Sequence, residues 1–114
     1  MKQLILLIAM LVSTEANADM TIRGYLDIQK TEEGKDRLDF FINGLGTGMG
    51  FSQVALEARG QPRLYCTPKR LSLTSENYKN ILDEQIKITG DKVSPDHLVS
   101  LYLLLGLSRT FPCK

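Results

Sequence analysis

The chain has 114 residues, 43% of them hydrophobic and 24% charged, with 14 basic and 13 acidic side chains and a formal net charge of +1. That length holds one domain with a modest core. A balance so near neutrality argues against a nucleic-acid partner, which needs a clustered basic excess to neutralise phosphates, and leaves no polybasic patch for a membrane surface.

Residues 1–18 read as an export signal. Lys2 supplies a positive start, Leu4 to Val12 are apolar without interruption, and Ala16-Asn17-Ala18 ends in a small-x-small cleavage signature. The apolar run is too short to act as a stable membrane anchor, and no cysteine sits at the cleavage point to accept a lipid. The expectation is a cleaved signal peptide over 1–18 and a single exported domain over 19–114. The signal segment carries one residue of each sign, Lys2 and Glu15, so the net charge of the remainder stays at +1.

From Met20 onward the hydrophobic period is helical almost throughout. Ile22, Tyr25, Leu26 and Ile28 suit a short amphipathic helix within Met20 to Lys30. The stretch from Lys30 to Arg37 reads as a solvated turn, with Thr31 able to cap the next helix. That second helix is predicted from about Lys35 to Arg59, where Leu38, Phe41, Ile42, Leu45 and Met49 form one apolar stripe. Gly44, Gly46, Gly48 and Gly50 lie inside it, each costing about 1 kcal/mol relative to alanine. Two readings fit them: a continuous helix in which Gly44 and Gly48, one turn apart, let another helix approach closely, or a kink or loop. A phosphate-cradling loop is excluded. The dinucleotide fingerprint needs glycines at first, third and sixth positions, and the sixth falls on Met49 or Phe51.

Gly60 and Pro62 stop the second helix, and an irregular stretch runs from Arg63 to Leu73. The third helix starts with Thr74 as cap and Glu76 in its first turn. It turns Tyr78, Ile81, Leu82 and Ile86 inward and ends at Gly90. Ser94-Pro95-Asp96 has the order of a helix start, with serine as cap and proline at the first helical position. From Leu98 to Leu107 only Ser100 and Gly106 interrupt the apolar run, a composition that belongs at the centre of a bundle. Pro112 ends the element. No segment sustains period-two alternation, so the expected fold is an all-α bundle of about four helices.

Two cysteines in an exported domain pair with each other far more often than not. Joining Cys66 to Cys113 closes a loop of about 48 residues and stabilises by roughly 4 kcal/mol in the chain-entropy account. A catalytic set is hard to assemble. His97 is the sole histidine, and a metal site or general-base dyad needs partners that its surroundings do not supply. Asp91 and Asp96 flank an inter-helix turn and read as solvated caps rather than metal ligands. Ser72, Ser75 and Ser108 lie in no nucleophile-elbow pattern, and Glu32-Glu33 and Asp83-Glu84 read as ordinary solvated charge. The residues therefore point to a binder without metal or cofactor.

The run Arg59 to Thr74, containing Leu64-Tyr65-Cys66-Thr67-Pro68, then Asn80-Ile81-Leu82, then Leu104 to Cys113 with its closing Phe111-Pro112-Cys113, resembles the Tai/Rap immunity-protein family. Phe41-Ile42-Asn43-Gly44 resembles that family's aromatic-x-x-Gly helix segment, and the likeness spans about residues 38 to 113. It implies a small all-helical periplasmic protein that binds and blocks a peptidoglycan amidase effector of type VI secretion. It also implies that Cys66 and Cys113 are the family's later, bonded cysteines and that Pro68 and Pro112 flank them. Many relatives carry a further cysteine pair in the first two helices, and Met20 to Leu45 has none, so the chain would belong to a one-disulfide branch.

The resulting expectation is a non-enzymatic protein binder of the immunity type, with a homodimer as an option. The turn Thr89, Gly90, Asp91, Lys92, Val93 and Ser94 between the last two helices is its candidate contact. The alternatives are a helical domain for another protein partner, or one holding a small apolar ligand in a groove along Gly44 to Gly50. An enzyme is the least favoured class.

Overall fold

The computed structural model describes residues 19–114, and the expected signal peptide over 1–18 lies outside the described residues. Among the described residues, four helices, α1 (Ile22–Ile28), α2 (Glu32–Ala58), α3 (Ser75–Thr89) and α4 (Val99–Thr110), make an all-α bundle, with one 3₁₀ turn at Gly90–Lys92. Among the described residues there is no strand, only an isolated bridge between Thr21 and Leu98.

Capping chemistry sets most of the boundaries. The side chains of Thr21, Thr31 and Thr74 each accept a hydrogen bond from the amide three residues on, and Thr74 with Asn77 completes a reciprocal capping box. Because Thr31 caps at once, α2 begins at Glu32 rather than near Lys35, with Glu32 and Glu33 at its positive end. Lys35 and Arg37 pair back to them across one turn, at 2.9 Å and 2.6 Å. Gly60 and Gly90, at φ 69° and 60°, end α2 and α3.

α2 runs unbroken through its four glycines and buries Leu38 and Ile42 as expected, with Phe41, Leu45 and Met49 packed beside them, but the glycines expected to pack are not the one that does. A Cβ at Gly44 or Gly48 would meet nothing within 4 Å, whereas one at Gly46 would lie 2.3 Å from the Tyr78 ring. The buried stripe of α2 is Gly34, Leu38, Ile42, Gly46 and Gln53, and Gly44 and Gly48 fall on the opposite side of the helix. Gly50 also faces open space, so the expected apolar groove along Gly44 to Gly50 is open surface. A second close approach, invisible in the glycine run, occurs at Gly106, where a Cβ would stand 2.7 Å from Ile81 of α3.

The last helix differs from expectation in start and place. It begins at Val99, with Ser94 to His97 forming a turn ahead of it. The cause is long-range. The amides of Ile22 and Arg23, unpaired at the head of α1, donate to the carbonyls of His97 and Pro95, and the Val99 amide donates to the Met20 carbonyl at 2.8 Å. Those bonds hold Leu98 extended behind the Ser94–His97 turn and delay the start of α4. Nor is α4 central: α3 packs against both α2 and α4. α4 buries Val99, Tyr102, Leu103, Gly106 and Leu107 while Leu98, Leu101 and Leu105 remain about half exposed.

The core gathers Ile22, Tyr25, Leu38, Ile42, Tyr65, Tyr78, Leu82, Val99, Tyr102, Leu103 and Leu107. Gln53 of α2 is buried and accepts hydrogen bonds from the amides of Leu64 and Tyr65, at 2.6 Å and 3.4 Å. It thereby satisfies backbone of the irregular connection, which Cys66 and Cys113 then tie to the tail. Their sulfurs are 2.01 Å apart, and the Cys66 amide donates to the Phe111 carbonyl at 2.8 Å.

Lys79 on α3 bonds Asp39 on α2 at 2.7 Å, and this contact holds the Asp39 carboxyl below its usual value. Its contribution to stability is present at neutral pH and is lost as acid protonates the carboxylate. Three tyrosines behave in the opposite sense. Burial raises the hydroxyls of Tyr25, Tyr65 and Tyr78 above the ordinary value of 10.0, and for Tyr25 a hydrogen bond to Asp83 adds to the effect. A raised folded value means that the neutral ring stabilises the fold below about pH 10 and that this contribution declines as pH climbs further. Ultraviolet titration is therefore expected to show these three phenols ionising together with loss of helical circular dichroism. Ionisation near pH 10 with helicity intact would contradict their burial.

Candidate functional site

The bonds that fix the Ser94–His97 turn and the extended Leu98 against α1 also build a groove. α1 places Ile22 and Leu26 one turn apart on one face, α3 contributes Ile86 and the α3–α4 connection contributes Val93 and Pro95. With Arg23 and Asp27 they line a concavity of about 360 Å³. Ile22 is buried at its floor and Leu26 stands 57% exposed on its wall. The charges at its margin are already paired: Arg23 with Asp96 at 3.7 Å and Asp27 with Lys30 at 3.0 Å. Such exposed pairs contribute little to stability. They can exchange partners at low cost when another surface arrives.

The predicted turn stands at one end of this groove, and its residues divide into two kinds. Gly90, Asp91 and Lys92 form the exposed 3₁₀ tip, and neither Asp91 nor Lys92 enters an ion pair among the described residues. Thr89 and Ser94 are half-buried, and their hydroxyls are engaged in local hydrogen bonds. The Thr89 hydroxyl donates to the Gln85 carbonyl at 2.9 Å, while the Ser94 hydroxyl accepts from the Asp96 amide at 3.3 Å. Val93 donates its amide to the Gly90 carbonyl and turns its side chain into the groove wall. Thr89 and Ser94 thus shape the turn, and the surface open to a partner is Gly90 to Lys92 together with the apolar wall.

His97 completes the support. Its Nδ1 accepts from the Ser94 amide at 3.1 Å and lies 2.8 Å from the Tyr102 hydroxyl, with the two rings stacked at 5.7 Å between centroids. The imidazole joins the turn to α4 and belongs to the scaffold. Among the described residues, no three His, Cys, Asp or Glu side chains come together as a metal-binding group, and no helix is long and apolar enough to cross a membrane. Sequence reasoning named the turn as a candidate contact and did not name the groove. The available signal was the Ile22/Leu26 pair on α1, whose outer member has no helix to cover it, but Val93 and Pro95 join the site only through the pairing of residues distant in sequence. No family model, curated protein or solved structure matches this chain.

Proposed function

We propose that the domain is a periplasmic, non-enzymatic protein binder of the immunity type, one that blocks a peptidoglycan amidase by presenting the Gly90 to Lys92 tip and burying the adjoining groove. The observation that carries this reading is the juxtaposition itself. A charged tip, in no ion pair among the described residues, projects beside an apolar concavity on a connection pinned at both sides by backbone hydrogen bonds, so that binding has little loop ordering to overcome. The groove offers apolar burial and two exchangeable ion pairs, which suits recognition of a surface better than proton transfer. The choice of an amidase as target comes from the resemblance of the Cys66 and Cys113 segments, not from the groove.

Co-expressing a candidate amidase in the periplasm with this protein tests the proposal. Protection from lysis is expected, with protection reduced by Asp91→Ala/Lys92→Ala and by Leu26→Ser. Lysis that proceeds unchanged with the wild-type protein sinks the immunity reading for that enzyme. Full protection by both variants leaves immunity in place and removes this surface from it. A second reading, a small apolar ligand in the groove, is favoured by its volume, which lies within the range of about 300–1,000 Å³ typical of ligand sites. Affinity purification separates the two: an enzyme recovered with the tagged protein supports the first, a co-purifying small molecule the second.

A further inference from the structure

The outer face of α2 carries the two most exposed large hydrophobic side chains of the described residues, Phe40 at 84% and Phe51 at 71%. Eleven residues apart, they lie on one helical face. Between them Thr47 is exposed, and Gly44 and Gly48 open onto empty space. For an isolated domain this face is costly twice over, exposing two aromatic rings and keeping helix-weakening glycines where nothing packs.

We infer that this face is a self-association surface, on which a second copy of the chain packs antiparallel about a twofold axis passing between Thr47 and Gly48. The residue order points to a second copy rather than to an unrelated partner, because the face complements its own reverse. In that single register Phe51 lies opposite Gly44 of the partner, Phe40 opposite Ala55 and Thr47 opposite Gly48. Each phenylalanine therefore meets a small residue, which lets two helices interdigitate closely. The same register sets Asp36 opposite Arg59 of the partner, twice by symmetry. Both are exposed, and neither has an ion-pair partner among the described residues, whereas Arg37 and Glu33 on the same helix are already satisfied by each other.

At about 150–250 Å² per ring, the four phenylalanines of a pair remove roughly 600 Å² of their own surface from water and cover a comparable area on the facing helices. The total of about 1,200 Å² is the lower bound of a stable specific interface. Self-association is therefore a concentration-dependent equilibrium. It does not depend on the amidase reading, since the groove beside α1 takes no part in it.

Sedimentation equilibrium on the purified protein, from micromolar to millimolar concentration, is the test. The wild type is expected to dimerise, and Phe51→Ser and Gly44→Leu are each expected to raise the dimer dissociation constant at least tenfold. Both positions face solvent, so circular dichroism is expected to show these variants folded. Leu101→Ser, on the exposed ridge of α4, is expected to leave the equilibrium unchanged. Asp36→Arg is expected to weaken the dimer, and Asp36→Arg/Arg59→Asp to restore it, which only the antiparallel register explains. A wild type that stays monomeric at millimolar concentration overturns the inference. So does a dimer indifferent to both α2 variants, or one that dissociates on Leu101→Ser.

Discussion

Gly46→Ala is expected to destabilise the domain by about 1–3 kcal/mol through overpacking, although alanine is the better helix former. The added Cβ would stand 2.3 to 2.7 Å from three carbons of the Tyr78 ring. Tyr78 is 8% exposed, so the ring has little room to withdraw, and relief requires α2 and α3 to separate. Gly48→Ala, two residues away on the same helix, is expected to stabilise by about 0.5–1 kcal/mol, because its Cβ enters open space and removes backbone freedom from the unfolded chain. Urea denaturation of both variants in a Phe51→Ser background, where self-association does not contribute, measures the contrast. Equal effects of the same sign at the two positions would contradict the placement of Gly46 against Tyr78.

Cys113→Ser is expected to cost about 2–4 kcal/mol, the usual range for a disulfide closing a loop of this length. The bond spans 47 residues, and inside that span lie α3, α4 and the groove-forming connection between them. Its removal releases the tail and the segment containing Tyr65, a core residue, at the same time. Thiol titration of the denatured protein is expected to find no free thiol before reduction and two after it. Reduced wild type and Cys113→Ser are expected to unfold at similar denaturant concentrations. Two titratable thiols without reductant would remove the bond, and a reduced wild type as stable as the oxidised form would show that the bond constrains little.

The contrast between Gly46 and its neighbours shows what a helical period can determine. Spacing of Leu38 and Ile42 marks the inward direction of α2, and extending that direction by one turn reaches Gly46, not Gly44 or Gly48. Counting glycines as a motif obscured this, because residues one turn apart share a face without that face being the buried one. The apolar run of α4 misled in a related way. Near-uniform hydrophobicity implies burial on every side, yet α3 takes the central place and Leu98, Leu101 and Leu105 keep about half their surface in water.

Properties set by a few neighbouring residues were legible in the sequence of this protein. The helical class, the threonine caps at Thr31 and Thr74, and the stops at Gly60 and Gly90 arise from local hydrogen bonding and backbone conformation. The Cys66–Cys113 bond was legible too, since two cysteines permit only one intramolecular pairing. What only the tertiary structure decided were features made by residues far apart. The Met20 carbonyl reaches the Val99 amide and the His97 carbonyl reaches the Ile22 amide, which delays α4 and opens the groove; Gln53 satisfies amides eleven and twelve residues away. The first pairings join opposite ends of the domain, the last joins a helix to the connection that follows it, and the geometry of all of them exists only once the helices have packed.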